Sequence, residues 1–182
     1  MIETERLIIR PWRDSDRAPF AAMGQDPEVR RFLGPPQSRV ESDAVIDRMI
    51  AMQAALGYCF WALERRADTA FLGFCGLKPG PVGTPLEGEV EIGWRLAHAH
   101  WGQGFAREAA QASLDWAWAN LTINSVWSMT VPANTASWGL MERLGMSRLA
   151  DRDFDHPAVP DGSPLKRHIV YRIDRPFINH LR

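Results

Sequence analysis

A chain of 182 residues, 46% hydrophobic and 24% charged, has the makeup of an ordinary globular domain and can bury one sizeable core. Its formal net charge of -1 lacks the basic surplus of a nucleic-acid binder, so no nucleic-acid partner is expected. The longest apolar stretch, 50–63, is broken by Gln53 and Gly57 and falls short of the ~20 residues that span a bilayer, and MIETERLIIR has no signal-peptide core; no membrane partner and a cytoplasmic location are expected.

In chain order, Arg6 to Arg10 (RLIIR) reads as a first strand closed by Pro11. Asp14-Ser15-Asp16 offers N-caps to a helix that runs to about Gly24, and Asp26-Pro27-Glu28 opens a shorter one stopped by Gly34-Pro35-Pro36. Ser38 and Glu41 have capping-box spacing ahead of a helical pattern from Val40 to Leu56. The period then drops to two. Tyr58 to Leu63 and Phe71 to Leu77 form a hairpin about the charged turn Arg65 to Asp68. Cys59 and Cys75 sit inside these apolar runs, where they behave as small hydrophobes; two cysteines are too few for a disulfide framework or a zinc site, and no metal is expected.

After a Pro/Gly-rich loop, Glu89 to Leu96 alternates as a strand, with Val90, Ile92 and Trp94 on one face and Glu89, Glu91 and Gly93 on the other. Gly104 to Leu121 is helical, with Phe105, Ala109, Ala112 and Trp116 sharing a face. A strand over Ser125 to Val131, a helix over Asn134 to Leu144, a strand over Met146 to Ala150 and a last strand over His168 to Ile173 complete the order. The eight Trp fall mostly on these core faces or beside the 101–106 turn. The result is a single α/β domain over 1–182, one mixed central sheet flanked by helices.

Between the fourth strand and the following helix lies Trp101-Gly102-Gln103-Gly104-Phe105-Ala106. The first N–H groups of a helix have no internal partner, and the macrodipole adds partial positive charge there. Gly102 and Gly104 remove the Cβ atoms that would keep a phosphate off the backbone, and no acid precedes Glu108. The P-loop pattern fails for want of Gly-Lys-Ser/Thr, and the dinucleotide pattern for want of a third Gly where Arg107 stands. A plain strand-to-helix turn, its glycines serving only sterics, is the competing reading.

Three segments in register resolve that choice. TERLIIRPW at the start, VEIGWRL with HWGQGFAREA in the middle, and VPANTASWGLMERLGM beyond it resemble the GCN5-related N-acetyltransferases, above all the bacterial ribosomal-protein N-terminal acetyltransferases, from about Glu5 to Ile173. The resemblance implies a mostly antiparallel sheet of about six to seven strands, with the two central ones splayed. It implies that acetyl-CoA is the cosubstrate, its pyrophosphate cradled by Trp101, Gly102, Gln103, Gly104, Phe105 and Ala106 and the helix start at Arg107. Trp101 departs from the Gln/Arg of the signature. Pantetheine would lie in the splay beside Trp94, Arg95 and Leu96, and Asn134 would meet the pantetheine arm or the acceptor, although Asn also suits a helix N-cap.

Acetyl transfer from a thioester to an amine needs a neutral amine, donors for the developing oxyanion and a proton for the departing thiolate. By resemblance the amine attacks directly in a ternary complex. Glu91 is the candidate base, with Glu89 behind it; the competing reading is a salt-bridged strand residue. Many relatives place a Tyr acid where this chain has Met141, so Ser137 is the candidate acid, or else a helix-surface Ser. The backbone N–H near Trp94 is the candidate oxyanion donor.

On the acceptor side, Asp151, Asp153, Asp155 and Asp161 against Arg152 would favour a cationic amine, unless they simply solvate a hairpin loop. His156 and His168 are secondary candidates, and Phe32 with Gly34-Pro35-Pro36 would line the other wall. The acceptor is a small amine or a protein N-terminus, and the chain a monomer or homodimer. Two other functions fit: a non-catalytic coenzyme A-binding regulator, and a nucleotide-binding α/β domain.

Overall fold

The alternating apolar runs assemble into one sheet in a computed structural model that describes residues 1–176; the end of the expected 1–182 span, residues 177–182, lies outside the described residues. Nine strands are present among the described residues: β1 (Ile2–Glu3), β2 (Leu7–Arg10), β3 (Phe60–Arg65), β4 (Phe71–Pro79), β5 (Val90–Leu96), β6 (Ser125–Thr130), β7 (Ser147–Arg148), β8 (Phe154–Asp155) and β9 (Arg167–Asp174). Their order is β1-β2-β3-β4-β5-β6-β9-β7, with β8 on β9. Every pairing is antiparallel except β5 with β6. The excess over six to seven strands is β1 and β8, two-residue pairings too short to carry a periodic signal.

Among the described residues five α-helices flank the sheet: α1 (Arg17–Met23), α2 (Pro27–Arg30), α3 (Arg39–Leu56), α4 (Phe105–Asn120) and α5 (Thr135–Arg143). Neighbouring strand residues point to opposite faces. Trp61 meets Trp116 of α4 edge-on at 5.1 Å, while Phe60 stacks on Phe74 at 5.3 Å, and Phe74 in turn meets Phe20 of α1 at 6.2 Å. So α4 covers one face and the α1–α3 segment the other. Cys59 and Cys75 are fully buried and reduced, and burial pushes both thiols up to about 12.

The capping box ahead of α3 is formed: the Glu41 N–H donates to Ser38 Oγ at 3.2 Å and the Ser38 N–H to Glu41 Oε2 at 2.7 Å. Gly57 closes α3 at φ +82°. Ahead of α1 the outcome differs. Asp14 to Asp16 form a 3₁₀ turn, and the buried Asp16 carboxylate takes both arms of the Arg10 guanidinium at 2.8 Å, while Arg10 Nε donates to Glu64 at 2.7 Å. An Asp that reads as a cap is held instead as the counter-ion of a buried arginine.

The parallel pair β5/β6 positions the site. It has a single register pair, Glu91 with Trp127, whereas β4/β5 pair from Gly73/Leu96 to Pro79/Val90 and β6/β9 from Ser125/Asp174 to Thr130/Ile169. Past Trp127 the Ser128 hydroxyl donates to the Ile92 carbonyl at 2.9 Å, the group a continuing ladder would bond to a backbone N–H. From there the strands diverge toward their C-terminal ends.

Candidate active site

The splay leaves unpaired backbone on β5. On the β4 side the Ala97 N–H donates to Leu72 O at 2.9 Å, so by alternation the backbone groups of Gly93 and Arg95 turn to β4 and those of Trp94 and Leu96 to the gap. Arg95 therefore does not offer backbone to a ligand in the splay, as the resemblance had implied. Its side chain lies on the α1–α3 face, with its guanidinium 5.2 Å from the centre of the Phe74 ring. The Leu96 carbonyl accepts the Trp101 indole N–H at 2.8 Å, which fastens the next turn to the end of β5.

That turn has the backbone of an anion cradle. Gly102 has φ +70° and Gly104, the N-cap of α4, φ +83°, the left-handed region that an L side chain disfavours. A Cβ on Gly102 would have no protein atom within 4 Å and would project into the open space above the turn. The first intrahelical bond runs from the Glu108 N–H to Gly104 O at 3.1 Å, so the amides of Phe105, Ala106 and Arg107 begin the helix without a bond of that kind. The Phe105 side chain is buried and Arg107 is exposed. The exposed Gln103 side chain folds back along the turn and donates to Ala99 O at 3.0 Å.

Glu108 would weaken this site were its charge free, but it is held from the far end of the chain. Thr4 Oγ1 donates to it at 2.6 Å, the Arg6 N–H at 2.9 Å and Arg6 Nε at 2.7 Å. Burial opposes ionisation of Glu108, but these bonds outweigh it and keep its carboxyl below the usual range. Arg6 also donates to Gln103 O at 2.9 Å and lies 4.6 Å over the Phe105 ring. Reading the sequence missed Arg6 as a site residue, although it stands in the TERLIIRPW segment; its partner is 102 residues away.

Across the gap, Asn134 stands at the N-cap of α5 without capping by its side chain, which donates instead to Thr130 Oγ1 at 3.1 Å. The N-cap reading thus holds for position only. Ser137 is half-buried in the first turn of α5, and its hydroxyl makes no hydrogen bond among the described residues. Met141 is buried in the core at 1% exposure. The two Tyr of the chain do not substitute for an acid there: Tyr58 packs on Trp116, and the Tyr171 hydroxyl donates to Glu142 at 3.3 Å.

On the α1–α3 face, Glu91 is buried at 7% exposure and paired with Lys78 at 2.5 Å, its register partner on β4. Burial pushes the Glu91 carboxyl up, and the Lys78 ammonium opposes this. Lys78 was also missed, though hairpin register sets it opposite Glu91. Beside this pair opens a cavity of about 160 Å³, walled by Trp12, Phe60 and Phe74 and rimmed by Gln37, Lys78 and Arg95. Gly93 makes room for the Phe60 ring of that wall: a Cβ there would come within 2.7 Å of it. Glu89 lies outside β5.

The 151–161 segment is no free acidic patch. Asp153 pairs with Arg148, Asp155 with Arg167 at 3.4 Å, Asp161 with Lys166 at 3.0 Å and Asp151 with Arg152 at 3.8 Å. The His156 and His168 rings stand 4.9 Å apart beside Phe154; burial lowers both, and for His156 the neighbouring His168, Lys78 and Lys166 add to the effect. Arg30 on α2 binds the carbonyls of Leu33, Gly34 and Pro35, fixing the stretch expected to line the acceptor wall.

Comparison with known proteins agrees with this geometry. The model of the Acetyltransferase (GNAT) domain family matches residues 6–147. The chain is 29% identical over 148 residues to N-acetyltransferase p20 of Bacillus licheniformis, covering 80% of this chain and 81% of that protein. An acetyltransferase structure from Agrobacterium tumefaciens superposes with a TM-score of 0.75 at 28% identity, covering 94% of this chain and 92% of that one. RimL, a ribosomal α-N-protein acetyltransferase in complex with coenzyme A, shares the fold with a TM-score of 0.74 at 14% identity, covering 94% of this chain and 95% of its own. The mixed sheet with its single open parallel pair, the glycine turn at the start of α4 and the matching domain together show that this chain belongs to the GNAT acetyltransferases, enzymes of acetyl transfer.

Proposed function

We propose that this chain, as a single domain in the cytoplasm and as a monomer or homodimer, transfers the acetyl group of acetyl-CoA to a primary amine by direct attack in a ternary complex. The observation that carries this reading is the turn with Gly102 and Gly104 at positive φ, opening at the free amides of α4 beside the β5/β6 gap. The residues present suit coenzyme A: the cradle is uncrowded by side chains, and its nearest acid is neutralised. RimL, with coenzyme A bound, shares the fold. When bound, acetyl-CoA supplies the activated acetyl group. The amides of Phe105, Ala106 and Arg107 hold its pyrophosphate, and the backbone of Trp94 and Leu96 faces pantetheine, with the Trp94 N–H toward the acetyl oxygen.

Glu91 assists deprotonation of the amine. Its burial raises its basicity, and the Lys78 ammonium opposes that rise. Ser137, whose hydroxyl has no hydrogen-bond partner among the described residues, donates to the thiolate. Ser137→Ala is expected to lower kcat by about 10- to 100-fold with little change in the KM for acetyl-CoA. Steady-state kinetics check this, and full activity would show that solvent protonates the thiolate. An acceptor screen that follows coenzyme A release tests the whole reading. Met141, sunk in the core, favours the second reading, a coenzyme A binder without turnover. Such a protein gains thermal stability from acetyl-CoA and releases no thiol with any amine.

A further inference from the structure

On the α1–α3 face Arg95 has no acid partner among the described residues, whereas the other cations lining its cavities are paired. A cavity of about 360 Å³ elsewhere makes the contrast: its charged walls include Arg10, Asp16 and Glu64, and the two acids both bind the arginine. In the smaller cavity beside β5, Lys78 is engaged by Glu91. Arg95 is not engaged. Among the described residues its guanidinium has no carboxylate within ion-pair distance and no hydrogen bond to a carbonyl, and it lies over the face of Phe74. A neighbouring cation, Arg30, repels it and is itself committed to the 33–35 carbonyls. Burial, and then the repulsion of Arg30, pull Arg95 down to about 10, which leaves it charged at neutral pH.

A half-buried guanidinium held against an aromatic wall and facing an opening is built to take an anion, and its planar fork matches a carboxylate. Beside it, Trp12, Phe60 and Phe74 offer apolar surface, and about 160 Å³ holds a carboxylate together with a short apolar group. Glu91 flanks the same face at the closed end of the splay, where an amine would be received.

Resting on the acetyltransferase reading above, we propose that the acceptor is a small amine that carries a carboxylate and an apolar side chain, of the free amino-acid type, and that Arg95 binds the carboxylate. The cationic amine that the acidic 151–161 loop suggested gains little from it, because those aspartates are paired, and Arg30 and Arg95 repel any second positive charge.

The test pairs free L-leucine and L-methionine with their amides, alongside spermidine, and follows coenzyme A release. The acids are expected to show a kcat/KM about 10- to 100-fold above their amides, carried by KM. Arg95→Gln removes that preference by raising the KM of the acids, and Arg95→Lys restores part of it. Equal use of acid and amide, preference for spermidine, or an unchanged ratio in Arg95→Gln overturns the proposal. Calorimetric titration of L-leucine into the intact protein, with and without coenzyme A, separates the two readings. If acetyl-CoA fails to bind, the transferase reading falls, while leucine binding that Arg95→Gln abolishes still supports the anion seat. No leucine binding in either form of the protein sinks it.

Discussion

Gly104→Val is expected to weaken acetyl-CoA binding by about 10- to 100-fold. At φ +83° an L side chain costs ~1–2 kcal/mol, and a β-branched one more. The substituted turn relieves that strain by rotating the N-cap, which swings the first amides of α4 away from the pyrophosphate. The new side chain also meets Arg6 Nη2, 3.3 Å from the Cβ position. Gly102→Ala carries a similar left-handed strain at φ +70° without a new contact, because its Cβ points into open space. It narrows the ligand's approach, and a loss of about tenfold is expected. Isothermal calorimetry with acetyl-CoA, alongside thermal melts of the free proteins, reads both effects. Unchanged affinity in both variants would remove the cradle assignment.

Lys78→Met is expected to cost about 3–5 kcal/mol at neutral pH, because it leaves the Glu91 carboxylate buried without its counter-ion. For a chain of this length that is a fall in Tm of roughly 6–20 °C. The pH dependence identifies the cause. Burial already places the folded-state pKa of Glu91 above the unfolded value, and loss of Lys78 raises it further. Between those two values the folded chain binds more protons than the unfolded one, so stability declines as pH rises. The variant should therefore be closer to the parent near pH 5 than near pH 8, and Lys78→Met combined with Glu91→Gln should recover much of the loss. Equal destabilisation at both pH values would mean that the damage is packing alone.

The order of elements was legible because its signals are local. The Ser38/Glu41 box, the stop at Gly57 and the strand ending at Leu96 are each signalled within a few residues, and each appears in the fold, the strand starting at Val90 rather than Glu89. The cradle was legible for the same reason, since two glycines before a helical pattern announce a free helix end. What was not legible depends on partners distant in sequence. Asp16 reads as a cap until Arg10 and Glu64 enclose it. Asn134 reads as a cap until Thr130 claims its amide. The aspartates of 151–161 read as an acidic patch until four basic residues answer them. Arg95 shows the opposite case. It was assigned to the cofactor from its place in the VEIGWRL strand, and only the β4 register turns its backbone inward and its side chain to the other face.

The bond between the two ends of this site has a consequence for how ligand binding can be observed. Thr4 and Arg6 hold the first turn of α4 through Glu108, so whatever steadies the start of that helix also steadies the N-terminal hairpin. The Arg6 amide, whose hydrogen rests on a carboxylate 102 residues away, becomes a remote reporter. Acetyl-CoA is expected to slow its hydrogen exchange without touching it, since opening at residues 4–6 would have to loosen an occupied cradle. A bulky fusion placed directly on Met1 would press on the same buttress, and its cost would appear in cosubstrate affinity before it appeared in the fold.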